Sequence, residues 1–252
     1  MNQVLKKSKK KMMYLVGSLL ISLSMFSTTS FAATEGAVKS VTNSNYTGIA
    51  ADINLSKSVV VKDGYVNWYL GIGASKVEGG ISKTPSGYKV FLNSGYNESG
   101  QNSKYWNTQY DTSIKDGDRV NLKLVNNGNG TVTMYVNGSP RYENQPVYGT
   151  FSQYEPVKMV QGVEDTGRNS FSQSSFSNVL LRADMSGSTY KSWNSSISSS
   201  FSRHGTYGSN FTVYSQVPLS ASLRQVCHLH NNVFKKKLAV LLCSYFLYAI
   251  NQ

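Results

Sequence analysis

Residues 34–216 contain no cysteine. That excludes disulfides, thiolate metal sites and a cysteine nucleophile from the stretch. Histidine is nearly absent there as well, with His204 alone. A Ser-His-Asp triad has to use that one residue, and no Gly-x-Ser-x-Gly elbow accompanies the serines. Charge of one sign is scarce: the chain has 13 Asp and Glu against 25 Lys and Arg, a net of +12. The excess sits at the ends. Lys6, Lys7, Lys9, Lys10 and Lys11 precede the body, and Arg224, Lys235, Lys236 and Lys237 follow it. Residues 34–216 keep 16 basic and 13 acidic side chains, scattered without runs of one sign. A nucleic-acid binder gathers its Lys and Arg on one face or in one segment, so no nucleic-acid partner is expected.

Long hydrophobic runs are missing too. The apolar stretches at 12–26 and 238–250 fall short of the roughly 20 residues of a membrane span. The first follows five lysines and is succeeded by a polar segment ending in Phe31-Ala32-Ala33. A basic start, a short apolar centre and small residues at the exit describe a signal peptide over 1–33, cut after Ala33. The protein is therefore expected to be secreted and extracellular, with no stable membrane span in the mature domain. The 183 residues that follow are enough for one domain held by its core alone.

What is present is strand pattern. Val66, Trp68, Leu70 and Ile72 alternate with Asn67, Tyr69, Gly71 and Gly73, and Tyr88, Val90 and Leu92 with Lys89, Phe91 and Asn93. A period of two belongs to sheet. Val120, Leu122 and Leu124 lead into Asn126-Asn127-Gly128-Asn129-Gly130, and Val132, Met134 and Val136 return. Asn and Gly accept the positive φ that such a reversal needs, so this is a hairpin. Further strands are expected at 46–55, 76–81, 157–163, 176–182 and 211–215. Many short strands between Gly, Asn and Asp turns predict an all-β, antiparallel sandwich. Residues 186–216 hold eleven serines interleaved with aromatics. They are expected to form a Ser-rich loop region (186–210) and a closing strand. Residues 217–252 change character and are expected to lie outside the fold as an atypical basic and apolar tail. Cys227, His228, His230 and Cys243 gather there, but their spacing matches no zinc pattern.

Several runs resemble successive strands of a concanavalin A-like jelly roll. They are Trp68-Tyr69-Leu70-Gly71-Ile72-Gly73, Val77-Glu78-Gly79-Gly80-Ile81 and Gly87-Tyr88-Lys89-Val90-Phe91-Leu92. Gly117-Asp118-Arg119-Val120, Tyr135-Val136-Asn137-Gly138 and Phe176-Ser177-Asn178-Val179 add to the likeness. Residues 34–216 as a whole resemble YrpD-like secreted bacterial proteins, a resemblance that implies no activity. The jelly-roll resemblance implies a fold that hosts lectin-like modules, glycosidases, lyases and peptidases.

Two kinds of site residue stand out. Glu78 lies opposite the branched apolar residues of its strand, and Glu164 ends Val160-Gln161-Gly162-Val163-Glu164. Two carboxylates across a groove are what glycoside hydrolysis needs, and their order resembles the acid pair of jelly-roll xylanases. The bland alternative is a solvated strand residue facing a cross-strand lysine. A Gln161–Glu164 dyad of the glutamic-peptidase kind is excluded by parity, which puts the two on opposite faces. The second kind is aromatic: Tyr96, Tyr105, Trp106 and Tyr110, with Asn97, Asn102 and Asn107 among them, look like a loop that stacks sugar rings. The alternative is packing at the ends of the core, to which Trp68 is better suited and Trp106 less. Asp111, Asp116 and Asp118 are read as turn residues, so no metal and no cofactor are expected. The leading reading is non-catalytic binding of an extracellular polysaccharide or cell-wall polymer. A glycan-cleaving enzyme using Glu78 and Glu164 is the second, and a protein-binding exported module the third. Nothing in the sequence fixes an oligomeric state.

Overall fold

The computed structural model describes residues 34–95, 105–165 and 167–225. The expected signal peptide, Tyr96 and the Cys and His residues of the tail lie outside them. The strands, in chain order, are β1 (Thr34–Tyr46), β2 (Gly48–Asn54), β3 (Val59–Val60), β4 (Tyr65–Ile72), β5 (Val77–Thr84), β6 (Gly87–Asn93), β7 (Trp106–Tyr110) and β8 (Arg119–Asn126). They continue with β9 (Thr131–Val136), β10 (Ser139–Pro146), β11 (Glu155–Asp165), β12 (Ser170–Arg182), β13 (Tyr190–Ser192), β14 (Ser199–Gly205), β15 (Phe211–Gln216) and β16 (Leu219–Leu223). A seven-stranded sheet runs β14-β1-β11-β4-β5-β6-β7. A nine-stranded sheet runs β10-β9-β8-β2-β12-β16-β15, with β3 and β13 also paired to β12. All pairings are antiparallel. The fold is the antiparallel sandwich that the strand pattern predicts, and it fits the jelly roll that the resemblance implies.

Each strand turns alternate residues inward, and the two inner faces make one core. Val66, Trp68, Leu70 and Ile72 of β4 meet Ile49, Ala51 and Ile53 of β2 and Leu122 and Leu124 of β8 in one buried cluster. Trp68 is fully buried, and its ring stands edge-on to Phe171 at 5.2 Å between centroids. Its indole N–H donates to Ser174 Oγ at 2.7 Å, and Ser174 Oγ donates to Gln161 Oε1 at 3.1 Å. That chain satisfies the polar groups of both sheets where they meet, which a buried indole and amide require.

The structure departs from the sequence reading in three places. β1 is a 13-residue strand that the reading omits, because its inward positions include Ser40 and Thr42 beside Val38. Ser40 and Thr42 are buried yet hydrogen-bonded to backbone carbonyls, which removes the penalty that polar residues there would carry. The Ser-rich region is not a loop throughout. It carries β13 and the edge strand β14, and Trp193 beside them is 2 % exposed. The boundary after Gln216 also moves: β16 pairs with β12 and β15, and all five of its residues are buried.

Leu219, Ala221 and Leu223 therefore belong to the core, and each buried leucine contributes about 2 kcal/mol. A chain ending at Gln216 is expected to melt lower by roughly 10 °C or more, or not to fold. A chain ending at Gln225 is expected to melt as the full-length protein does. Calorimetry of the two truncations checks this.

Candidate binding groove

A groove of about 580 Å³ lies on the outer face of the seven-stranded sheet. Strand register arranges its lining in rows that cross the strands. One row is Glu35, Glu164, Tyr65 and Thr84, from β1 through β11 and β4 to β5. The next is His204, Ala37, Gly162, Asn67, Ser82, Lys89 and Tyr110, from β14 to β7. The third is Lys39, Val160, Tyr69, Gly80, Phe91 and Thr108, and the fourth Val41, Lys158, Gly71, Glu78, Asn93 and Trp106.

The fourth row holds an ion pair that bridges a strand. Lys158 on β11 and Glu78 on β5 flank β4, and Lys158 Nζ meets Glu78 Oε1 at 2.5 Å. Gly71 lies between them. A Cβ there would stand 2.5 Å from Lys158 Cε, so only glycine lets the lysine lie across β4. The lysine side chain is 7 % exposed and the glutamate 22 %. Burial pushes the neighbouring Tyr69 phenol well above its ordinary value, and the Glu78 carboxylate adds to it. At the other end, Tyr65 Oη donates to Glu164 Oε2 at 2.7 Å. Burial and then that carboxylate push the Tyr65 phenol up. Glu35 faces Glu164 across the β1–β11 register, and its Oε1 lies 3.1 Å from His204 Nε2, both side chains largely exposed.

Glu78 and Glu164 line the same groove from well-separated backbone positions, and each carboxylate has another partner. Their rows are separated by six residues of β4, from Gly71 to Tyr65. That is on the order of 20 Å along the strand. The paired-carboxylate mechanism holds its groups within about 10 Å. Glu78 is instead the ion-pair partner of a cross-strand lysine. The neighbour of Glu164 is Glu35, which sequence reasoning missed because β1 was not recognised. Gln161 faces the core, as parity requires.

The aromatic candidates separate in the same way. Trp106 begins the edge strand β7, not a loop, and faces the groove. Its ring stacks on Phe91 at 6.1 Å and 19°, and Phe91 stands edge-on to Tyr69 at 5.9 Å. Gly80 lies between Tyr69 and Phe91 in their row and leaves the two rings room to meet. Tyr69 and Phe91 were not singled out from sequence, because both sit opposite core positions of strands assigned by their buried face. Tyr105 packs edge-on against Tyr148 at 5.5 Å and does not line the groove. Tyr110 lies at the end of the second row under Lys89, whose Nζ is 4.6 Å from the ring centroid. The aspartates are engaged: Asp116 by Lys83 and Tyr88, Asp111 by Ser113 and Arg141, Asp118 by the Lys115 amide. Among the described residues no cluster of His, Cys, Asp and Glu is arranged to hold a metal, and no helix is long and apolar enough to cross a membrane.

No family model matches the chain, and no curated protein does. Among solved structures it is similar to a Scytalido-glutamic peptidase bound to a peptide-based transition state analog, at 10 % identity over 77 % of this chain and 98 % of that one, TM-score 0.48. It is also similar to sheep galectin-11 in complex with glycerol, at 12 % identity over 56 % and 93 %, TM-score 0.34. A third likeness is to the catalytic domain of an endo-1,3-β-glucanase from Thermotoga petrophila, at 7 % identity over 75 % and 77 %, TM-score 0.30. At these identities and scores none of the three assigns an activity to this chain.

Removing Lys158 strands the Glu78 carboxylate in a partly buried site. Lys158→Met is expected to destabilise the fold by about 2 kcal/mol, below the range for fully buried pairs because Glu78 keeps some solvent. Adding Glu78→Gln is expected to recover much of that loss. Urea unfolding of the single and double variants measures both.

Proposed function

We propose that the protein is an exported, non-catalytic module that binds an extracellular or cell-wall glycan in the groove. The observation that supports this most directly is the aromatic shelf of half-buried Tyr69 and Trp106 packed on buried Phe91, bordered by the amide of Asn67 and the hydroxyl of Ser82. Sugar rings present an apolar face and a rim of hydroxyls, and such a shelf with polar neighbours matches both. The separation of Glu78 from Glu164 favours binding over cleavage. The likeness of residues 34–216 to YrpD-like secreted proteins and the signal-like segment at 1–33 fit an exported role.

Two measurements test this reading. Trp68 and Trp193 are buried, so a fluorescence change on adding a bound glycan reports chiefly on Trp106. Trp106→Ala is expected to weaken retention on the polysaccharide by tenfold or more, about 1.4 kcal/mol, with no new reducing ends in the wild-type reaction. Unchanged retention sinks the aromatic-shelf reading, and release of reducing ends that Glu164→Gln abolishes sinks the non-catalytic one. For export, mass spectrometry of culture supernatant is expected to find a mature chain starting at Thr34. A secreted species that still carries Met1 contradicts cleavage.

A further inference from the structure

We infer that the groove is a through-channel for an internal stretch of a linear, non-anionic polysaccharide, lying across the strands rather than along them. This rests on the glycan-binding reading above and adds the direction, the length dependence and the charge class of the ligand.

The channel follows from which positions of the four rows line the groove. The centre of the second row is low, with Ala37, Gly162, Asn67 and Ser82 as successive positions on β1, β11, β4 and β5. Glu35, Glu164, Tyr65 and Thr84 flank it on one side; on β1 and β11 the lining stops at the second row, while from β4 to β7 it widens over Tyr69, Phe91 and Thr108 to Glu78, Asn93 and Trp106. The lining therefore crosses all seven strands, obliquely, from the first two rows on β1 and β11 to the third and fourth on β7. Its lining reaches His204 on the edge strand β14 and Trp106 and Thr108 on the opposite edge strand β7. Six strand spacings separate those edges, about 29 Å. That is several sugar units long, so a monosaccharide fills only part of it. A site that reads a chain end needs a wall across one end, and among the described residues the lining runs from one edge strand to the other.

Charge narrows the polymer further. Glu35 and Glu164 are directly opposed on the wall at the β1–β11 end, and their described partners are His204 and the neutral phenol of Tyr65. Adjacent like charges already disfavour one another. A uronate or phosphate polymer laid along that wall adds a third negative charge. At the far end Lys89 is held over the Tyr110 ring, and Lys158 is committed to Glu78. Neither stands beside the acidic wall to offset it.

The test uses β-1,3-glucan, β-1,4-glucan and β-1,4-linked N-acetylglucosamine oligomers from dimer to octamer, each with native and with borohydride-reduced ends. Polygalacturonate is the anionic arm, and binding is measured by titration calorimetry. For the series that binds, affinity is expected to rise at least tenfold from dimer to hexamer and to change less than twofold when the end is reduced. Polygalacturonate is expected to bind at least tenfold more weakly, and Glu164→Gln to narrow that gap. Ser82→Tyr, which fills the trough at its midpoint, is expected to cost the hexamer tenfold or more. Its melting curve checks that it folds, and Tyr214→Ala, exposed on β15 of the other sheet, is the control expected to bind normally. A dimer as tight as the octamer, loss of binding on end reduction, or equal binding of polygalacturonate overturns the channel while leaving glycan binding standing. Failure of every glycan to bind overturns the channel together with the reading beneath it.

Discussion

Everything on the groove face depends on strand parity held by the core. A strand buried on one face cannot slip by one residue without sending its whole apolar set to the other side. In β4 the inward set is Val66, Trp68, Leu70 and Ile72, all fully buried. Tyr65, Asn67, Tyr69 and Gly71 are thereby forced outward together. The same holds in β11, where inward Val157, Met159, Gln161 and Val163 oblige Lys158, Val160, Gly162 and Glu164 to face the groove. The groove is thus the complement of the core, placed by the residues beneath it. With no cysteine in residues 34–216, apolar burial and the Trp68–Ser174–Gln161 hydrogen-bond chain do the locking.

Small residues then shape the surface that parity supplies. Side chains on an outer sheet face stand at similar heights unless some positions are vacated. Gly71 vacates one, and the lysine that crosses it ties β11 to β5 over the top of β4. The pair therefore braces three neighbouring strands from outside, in the row that ends at Trp106. Such a brace stiffens the platform under the aromatic shelf without filling the trough, since Lys158 lies flat where an extended side chain would project.

Parity also explains what the sequence could and could not reveal. Where the inward set is uniformly apolar, as in β4, β6 and β8, alternation is visible and both faces are assigned at once. Alternation likewise put Glu78 opposite the branched apolar residues of β5, and parity put Glu164 on the face opposite Gln161 in β11. Their separation was not legible, because it depends on which residue of one strand lies beside which residue of the next. The chain connecting β5 to β11 contains five other strands and carries no mark of that register. β1 escaped notice because Ser40 and Thr42 occupy inward positions through hydrogen bonds made to residues distant in sequence, such as Gln216. With β1 went Glu35 and the acidic wall. β7 escaped because Trp106–Tyr110 is an edge strand with no buried residue, so no period of burial was written into it.

The outer faces of the two sheets differ in a way that bears on where the ligand goes. On the nine-stranded sheet, Asp52 is almost fully buried and accepts from Asn121, Asn178 and Arg119. Burial opposes its ionisation, but the three donors together hold its carboxyl below the usual range. Asn178 reaches it from a β-bulge in β12, at a φ of 50°, a backbone cost met by the bond to the carboxylate. That cluster has donors matched to acceptors within the protein. On the seven-stranded sheet, the central pair Lys158–Glu78 is matched in the same way, yet the rim is not: Glu35 and Glu164 are opposed there, and the half-buried rings of Tyr69 and Trp106 pack on buried Phe91 beside a trough of small residues. A domain with so few charges gains no fold stability from opposing two carboxylates across neighbouring strands. The face that is energetically incomplete by itself is the one suited to being completed by something else.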